Sequence, residues 1–221
     1  MTKTITRLFE DYSDATAALH DLERLGVPHD SVSIVANNAD GAHGDATSTL
    51  GDVNDHGDVS RGVSTGAAVG GVGGLLAGLG LLAIPGLGPV IAAGWLASTV
   101  VGAGIGAAGG AATGTIVGAL KDAGHSDDEA HVYSEGVRRG GTLLSARVDD
   151  TLATEAEAIL DRHRSVDATT RGTAYRQDGW SSFDDTAPAY SRDEVAAERV
   201  EKSGVEQVKI RSVLTCDARQ G

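Results

Sequence analysis

Between Arg61 and Lys121 the chain runs for 59 residues without a charged side chain or a histidine, and glycine returns there at every fourth position. One ladder reads Gly62, Gly66, Gly70, Gly74 and Gly78. The other reads Gly94, Gly102, Gly106, Gly110, Gly114 and Gly118, with Ser98 in the remaining rung. Residues four apart lie nearly above one another on an α-helix, so each ladder makes a groove free of side chains along which a second backbone can pack. These positions are therefore the candidate helix-packing and oligomerisation residues. The prolines and glycines of Ile84-Pro85-Gly86-Leu87-Gly88-Pro89 predict a reversal of the chain between the ladders. The expectation is a helical hairpin over residues 61–121.

The lengths suit a bilayer. Gly62 to Ile84 is 23 residues and Val90 to Leu120 is 31, so as a helix each arm covers a hydrocarbon core of about 30 Å. Both ends would emerge on one side, which the flanking Arg61 and Lys121 assign to the cytoplasmic face of the inner membrane, with Trp95 at the opposite interface. Composition pulls the other way. The two arms hold sixteen glycines, each about 1 kcal/mol worse than alanine in a helix interior. The strongly apolar runs, Leu75-Leu76 and Leu79 to Ile84, are short. Two readings stay open: a membrane-associated hairpin with lipid as a partner, or a cytoplasmic homo-oligomer that buries its hairpins centrally, around a lipid or an apolar channel. Both require a second copy of the chain.

Outside this stretch the chain is acidic. Residues 1–61 carry four Lys/Arg against eleven Asp/Glu and residues 121–221 fourteen against twenty, for a net charge of −13. That balance excludes nucleic-acid binding by a basic face, and it leaves membrane attachment to the apolar stretch, not to a polybasic patch. Met1-Thr2-Lys3-Thr4-Ile5 has no apolar core of a signal peptide, and the single cysteine, Cys216, excludes an internal disulfide framework.

The flanks have a βαβ rhythm. Thr4 to Phe9 predicts a strand, and Ser13 an N-cap for a helix with Ala15, Ala18, Leu19, Leu22 and Leu25 on one stripe and Gly26 as its terminator. Ser31 to Ala36 alternates as a half-buried strand with Val32 and Ile34 inward. Ser126-Asp127-Asp128-Glu129 spells a capping box for a helix through Arg139. Thr142 to Val148 alternates as a strand, Leu152 to Leu160 repeats as a helix, and Val166 to Thr173 predicts a last strand. Two split βαβ units with an insertion between them make an α+β, ferredoxin-like sandwich. The expected organisation is residues 1–60 as its first half plus an acidic loop, 61–121 as the glycine-zipper hairpin, 122–175 as its second half, and 176–221 as a linker and helix–strand tail.

Phe9-Glu10-Asp11, Leu25-Gly26-Val27-Pro28, Val32-Ser33-Ile34-Val35, the glycine-rich insertion and Tyr133-Ser134-Glu135-Gly136-Val137-Arg138-Arg139-Gly140-Gly141 together resemble the bacterial general stress protein 17M (YflT-type) domain. The resemblance covers roughly residues 3–173. It implies a stress-associated, non-enzymatic protein and brings no catalytic residues with it.

The tail mixes Trp180, Phe183 and Tyr190 with Gly, Ser, Asp and Pro, as a linker does that touches down through aromatic side chains. Ser191 caps a short helix, and Val205, Val208, Ile210, Val213 and Leu214 are too apolar for a free end. Trp180, Phe183, Tyr190, Val208 and Ile210 are the candidate docking residues, expected to seat the tail on a sheet edge of the same or a neighbouring subunit. Ser203 to Gly221 is also similar to a segment of the RNA polymerase β′ subunit that leads into a zinc-binding cysteine cluster, which implies the polymerase as a partner. Cys216 alone cannot hold a structural zinc.

No catalytic, cofactor-binding or metal residues are assigned. Asp52, Asn54, Gly57 and Asp58 echo a calcium loop, but His56 stands at its fifth position and Val63 in place of its bidentate glutamate, so a solvated acidic linker is expected. Gly102-Ala103-Gly104-Ile105-Gly106 lacks the lysine of a phosphate loop. His125, His131 and His163 read as surface residues.

Overall fold

The computed structural model describes residues 2–39, 41, 80–84, 86–106 and 116–198. Strand β1 (Thr2–Phe9) leads into helix α1 (Tyr12–Leu25), which buries Ala15, Ala18, Leu19 and Leu22 and stops at Gly26, φ 102°. The helix begins ahead of Ser13, with Asp11 at the N-cap. A single 3-10 turn, His29–Ser31, opens β2 (Val32–Asn37). Then come β3 (Gly80–Ile84), β4 (Gly88–Gly94), α2 (Trp95–Gly106), α3 (Ile116–Asp122), α4 (Asp127–Arg138), β5 (Thr142–Asp149), α5 (Ala153–Arg162) and α6 (Ala168–Gln177).

The strands form one antiparallel sheet in the order β1-β5-β2-β4-β3. Because β5 runs antiparallel to both β1 and β2, these two are parallel with a strand between them, so β1-α1-β2 is a split βαβ unit. Side-chain alternation sorts the sheet into two cores. Ile5, Phe9, Val32, Ile34, Leu144, Ala146 and Val148 meet α1 and α5 on one face. On the other, Leu8, Val35, Val90, Ala92 and Leu143 meet Leu96, Ile116, Leu120, Val132, Tyr133 and Val137, with Ala168 and Tyr175 from α6.

This arrangement corrects several expectations. The chain does reverse at Ile84 to Gly88, where the Leu87 N–H donates to the Ile84 carbonyl at 3.1 Å, but it joins two strands and not two helices. Val90 and Ile91 are β-branched, and pairing with Asn37 and Ala36 of β2 buries both, whereas a glycine-rich helix would have little intrinsic preference to oppose it. The second arm is consequently helical only over α2 and α3 among the described residues. β2 is buried on both faces and not half-buried, because helices cover the sheet on each side. Val166 makes a single bridge to Leu8 instead of a last strand. Asp167 then caps α6, its side chain accepting from the Thr170 N–H at 2.7 Å, and a helix follows where a strand was expected.

Candidate functional site

Two ladder positions have clear structural surroundings. Gly94 ends β4 at φ 86°, and a Cβ there would lie 2.2 Å from the Val32 carbonyl oxygen, so this glycine serves the close approach of β4 to β2 and not a helix groove. Ser98 is exposed on α2 and donates back to the Gly94 carbonyl at 3.3 Å. Gly102 and Gly106 lie on α2 and Gly118 on α3, and these two helices touch. Gly62, Gly66, Gly70, Gly74, Gly78, Gly110 and Gly114 lie outside the described residues. Trp95 opens α2, packs partly against the core, and carries the Arg147 guanidinium 3.8 Å above its ring.

The segment after α6 folds back as a strap. Trp180 meets Tyr175 edge-on at 5.7 Å, Phe183 is buried, and backbone at Asp184 and Asp185 presses on Gly86 in the β3–β4 turn. Arg138 donates to the Pro188 carbonyl at 3.2 Å and stacks on Tyr190 at 4.9 Å. Ser191 and Glu194 form a capping box that opens a short helix over residues 192–198, whose Val195 is buried. Glu198, on this helix, lies 3.0 Å from Arg139. Trp180 thus packs on α6, Phe183 against the β3–β4 turn and Tyr190 on Arg138 of α4, while Val208 and Ile210 lie outside the described residues.

Under the strap lies a cluster of charge. The Glu135 side chain is 2% exposed and accepts from Arg139 Nε at 2.8 Å, with Arg138 at 3.6 Å. Arg139 lies 4.4 Å above the Tyr175 ring, and Arg171 pairs with Glu10 nearby. Burial pushes the Tyr175 hydroxyl well above its ordinary range. Burial pulls Arg139 down, but the hydrogen bonds it donates to the Glu135 and Glu198 carboxylates outweigh it and hold the guanidinium above its usual value. These ion pairs can clamp the strap. They contain no activated nucleophile.

On the same side of the sheet Thr6 Oγ1 lies 2.7 Å from His125 Nε2 and 2.8 Å from Ser145 Oγ, and Tyr133 donates to the Thr6 carbonyl at 2.7 Å. Glu129 lies 3.8 Å from the other nitrogen of His125. A carboxylate, an imidazole and a hydroxyl in series have the composition of a general-base relay, but Thr6 is 2% and Ser145 0% exposed, so the hydroxyls face protein and satisfy one another. His125 is half-buried against Thr6 and not a surface residue, and burial lowers its pKa. His131 and His163 are also partly covered, paired with Asp127 at 3.6 Å and Asp21 at 2.8 Å. No spacing signal could have linked Thr6 to His125, 119 residues away. Among the described residues no three His, Cys, Asp or Glu side chains converge to hold a metal, and no helix is long and apolar enough to cross a membrane.

No protein-family profile, curated protein or solved structure matches this chain.

Proposed function

We propose that this chain is a non-enzymatic scaffold that self-associates through its uncharged stretch. The observation that carries the reading is that this stretch supplies β3, β4, α2 and α3 to the fold, and that the two helices bearing Gly102, Gly106 and Gly118 pack together. Small residues at a fourfold repeat favour such close helix contacts, and a surface without charge lets chains of net charge −13 meet without repulsion. A ferredoxin-like sandwich is supported by the split βαβ unit and by α1 and α5 sharing one face, with β4 and β3 added at the β2 edge. The stress association rests on the resemblance to the general stress protein 17M domain.

A second reading seats the same stretch on the cytoplasmic face of a membrane, and the absence of charge from Gly62 to Leu120 favours it. RNA polymerase as a partner rests on the similarity of Ser203 to Gly221 alone. Light scattering in detergent-free buffer separates the readings. A discrete particle heavier than one 22.4 kDa chain, reduced by Gly102→Leu or Gly106→Leu but not by the off-ladder Gly104→Leu, is the expected result. A single-chain mass overturns self-association, and a protein recovered only with added lipid vesicles or detergent favours the membrane.

A further inference from the structure

We infer that the edge of β3 turned away from β4, which no other described strand occupies, is a pairing surface for β3 of a second copy, joining two five-stranded sheets into one. The inference rests on the self-association reading and specifies the surface. β3 closes the sheet order, and β4 is its one strand neighbour among the described residues. The direction of its backbone groups follows from hydrogen bonds on the far side of β4. The Pro89 carbonyl accepts from the Asn38 N–H at 2.9 Å, so it points away from β3. Ala83, which stands opposite Pro89, is then in a non-hydrogen-bonded pair, and its own N–H and C=O point away from β4. The same parity applies to Leu81. These are the donors and acceptors a further strand would use.

Nothing on β3 discourages such a strand. Natural edges are blunted by lysine, by other charges, by proline or by a covering element. Gly80-Leu81-Leu82-Ala83-Ile84 contains no charge and no proline, Ala83 is exposed, and Leu82 is half-buried against the core. A second copy is the occupant because the strand is self-complementary. A two-fold axis through Leu82 sets Leu81 opposite Ala83 of the other copy on both sides of the axis. The outward-pointing groups then form about four main-chain hydrogen bonds, and the two Leu82 side chains face one another in the closer, non-hydrogen-bonded position. A one-residue shift would set inward-pointing groups against outward-pointing ones, so the register is specified. The chain is free of charge from Gly62 to Leu120, so the two paired β3 strands bring no like charges of their own together.

The test uses the full chain and its mass by light scattering across a concentration series. Ala83→Pro removes the outward N–H without touching a bond to β4, and proline is tolerated on an edge strand in that position. Ala83→Lys leaves the backbone intact and adds a charge. Because a two-fold contact meets each substitution twice, either change should raise the concentration needed for half-association by about tenfold or more. The far-ultraviolet circular dichroism of each should match the unsubstituted protein. If Ala83→Pro unfolds the domain, Ala83→Lys decides. An associated protein whose mass is unchanged by Ala83→Lys but reduced by Gly106→Leu overturns the edge contact and leaves the scaffold reading in place. A wild-type mass of one chain overturns both. A monomer whose Ala83 amide is nonetheless protected from exchange shows that the chain covers its own edge, and also overturns the proposal.

Discussion

The sheet has two edge strands, and they are finished in opposite ways. β1 carries Lys3, paired with Glu157 at 2.7 Å, and Arg7, 3.6 Å from Asp161. Its outward groups are already taken where the strand is most buried. Leu8 exchanges two hydrogen bonds with Val166 at 2.9 and 2.8 Å, and the Thr6 carbonyl accepts from Tyr133 at 2.7 Å and from Arg7 at 3.2 Å. β3 has neither charge nor bridge among the described residues. The difference teaches where this fold ends and where it continues: a guarded edge closes a sheet, whereas an apolar edge in an acidic protein is a place to add a strand.

The comparison can be broken most severely at its hinge. Gly94 holds β4, and through it β3, against β2. Gly94→Ala forces a Cβ to within 2.2 Å of the Val32 carbonyl at a φ of 86°, and should cost about 3 kcal/mol or more by clash and backbone strain together. Urea unfolding should show the loss, with amide protection falling first over residues 80–94. Equal loss of protection along β1 would mean that the two halves of the sheet are not separable. A smaller effect belongs to Gly136, where a Cβ would meet Leu8 Cδ2 at 2.4 Å. Gly136→Ala should cost about 1–3 kcal/mol by pushing α4 off β1, and should leave the particle mass unchanged.

The guard on β1 can also be removed gently. Tyr133→Phe deletes the donor to the Thr6 carbonyl and should cost about 1 kcal/mol. Burial pushes the Tyr133 hydroxyl up from 10.0 to about 12. A raised value means that the folded state holds its proton longer, so this stabilisation is complete below pH 10 and is lost between pH 10 and about 12. The phenylalanine variant should show a shallower alkaline fall in its urea midpoint, and an unchanged profile would remove Tyr133 from the explanation. His125 has the opposite sign. Its lowered value makes the neutral ring the folded form, so its contribution is present above pH 6.5 and is lost as pH falls through the lowered value. His125→Gln should flatten the midpoint below pH 6.5, and this is the smallest of the expected effects.

Much of the guarded half was legible in the sequence. Gly26 as a terminator, the box made by Ser126 and Glu129, and the alternation of Leu144, Ala146 and Val148 are local signals, and each survives into the fold. The open half was not legible, because residues 79–94 carry no polar side chain by which a period of two could be told from one of 3.6. The β-branched pair Val90-Ile91 between Pro89 and Gly94 was the one strand signal there. Val166 was misread for a different reason: Asp167 and Thr170 spell an N-cap immediately after it, and the cap prevails over the alternation. The strap over Glu135, Arg138 and Arg139 and the Thr6–His125 contact depend on partners far apart in sequence, which no local pattern encodes.

Amide exchange at Ala83 and at Thr4, one residue from each edge, compares them most directly. Thr4 shares the outward parity of Leu8, and Ala83 that of Leu81. On dilution through the association range, exchange at Ala83 should accelerate by about tenfold or more while Thr4 stays constant. An Ala83 rate independent of concentration, or a Thr4 rate that follows it, would contradict the assignment of β3 as the open edge.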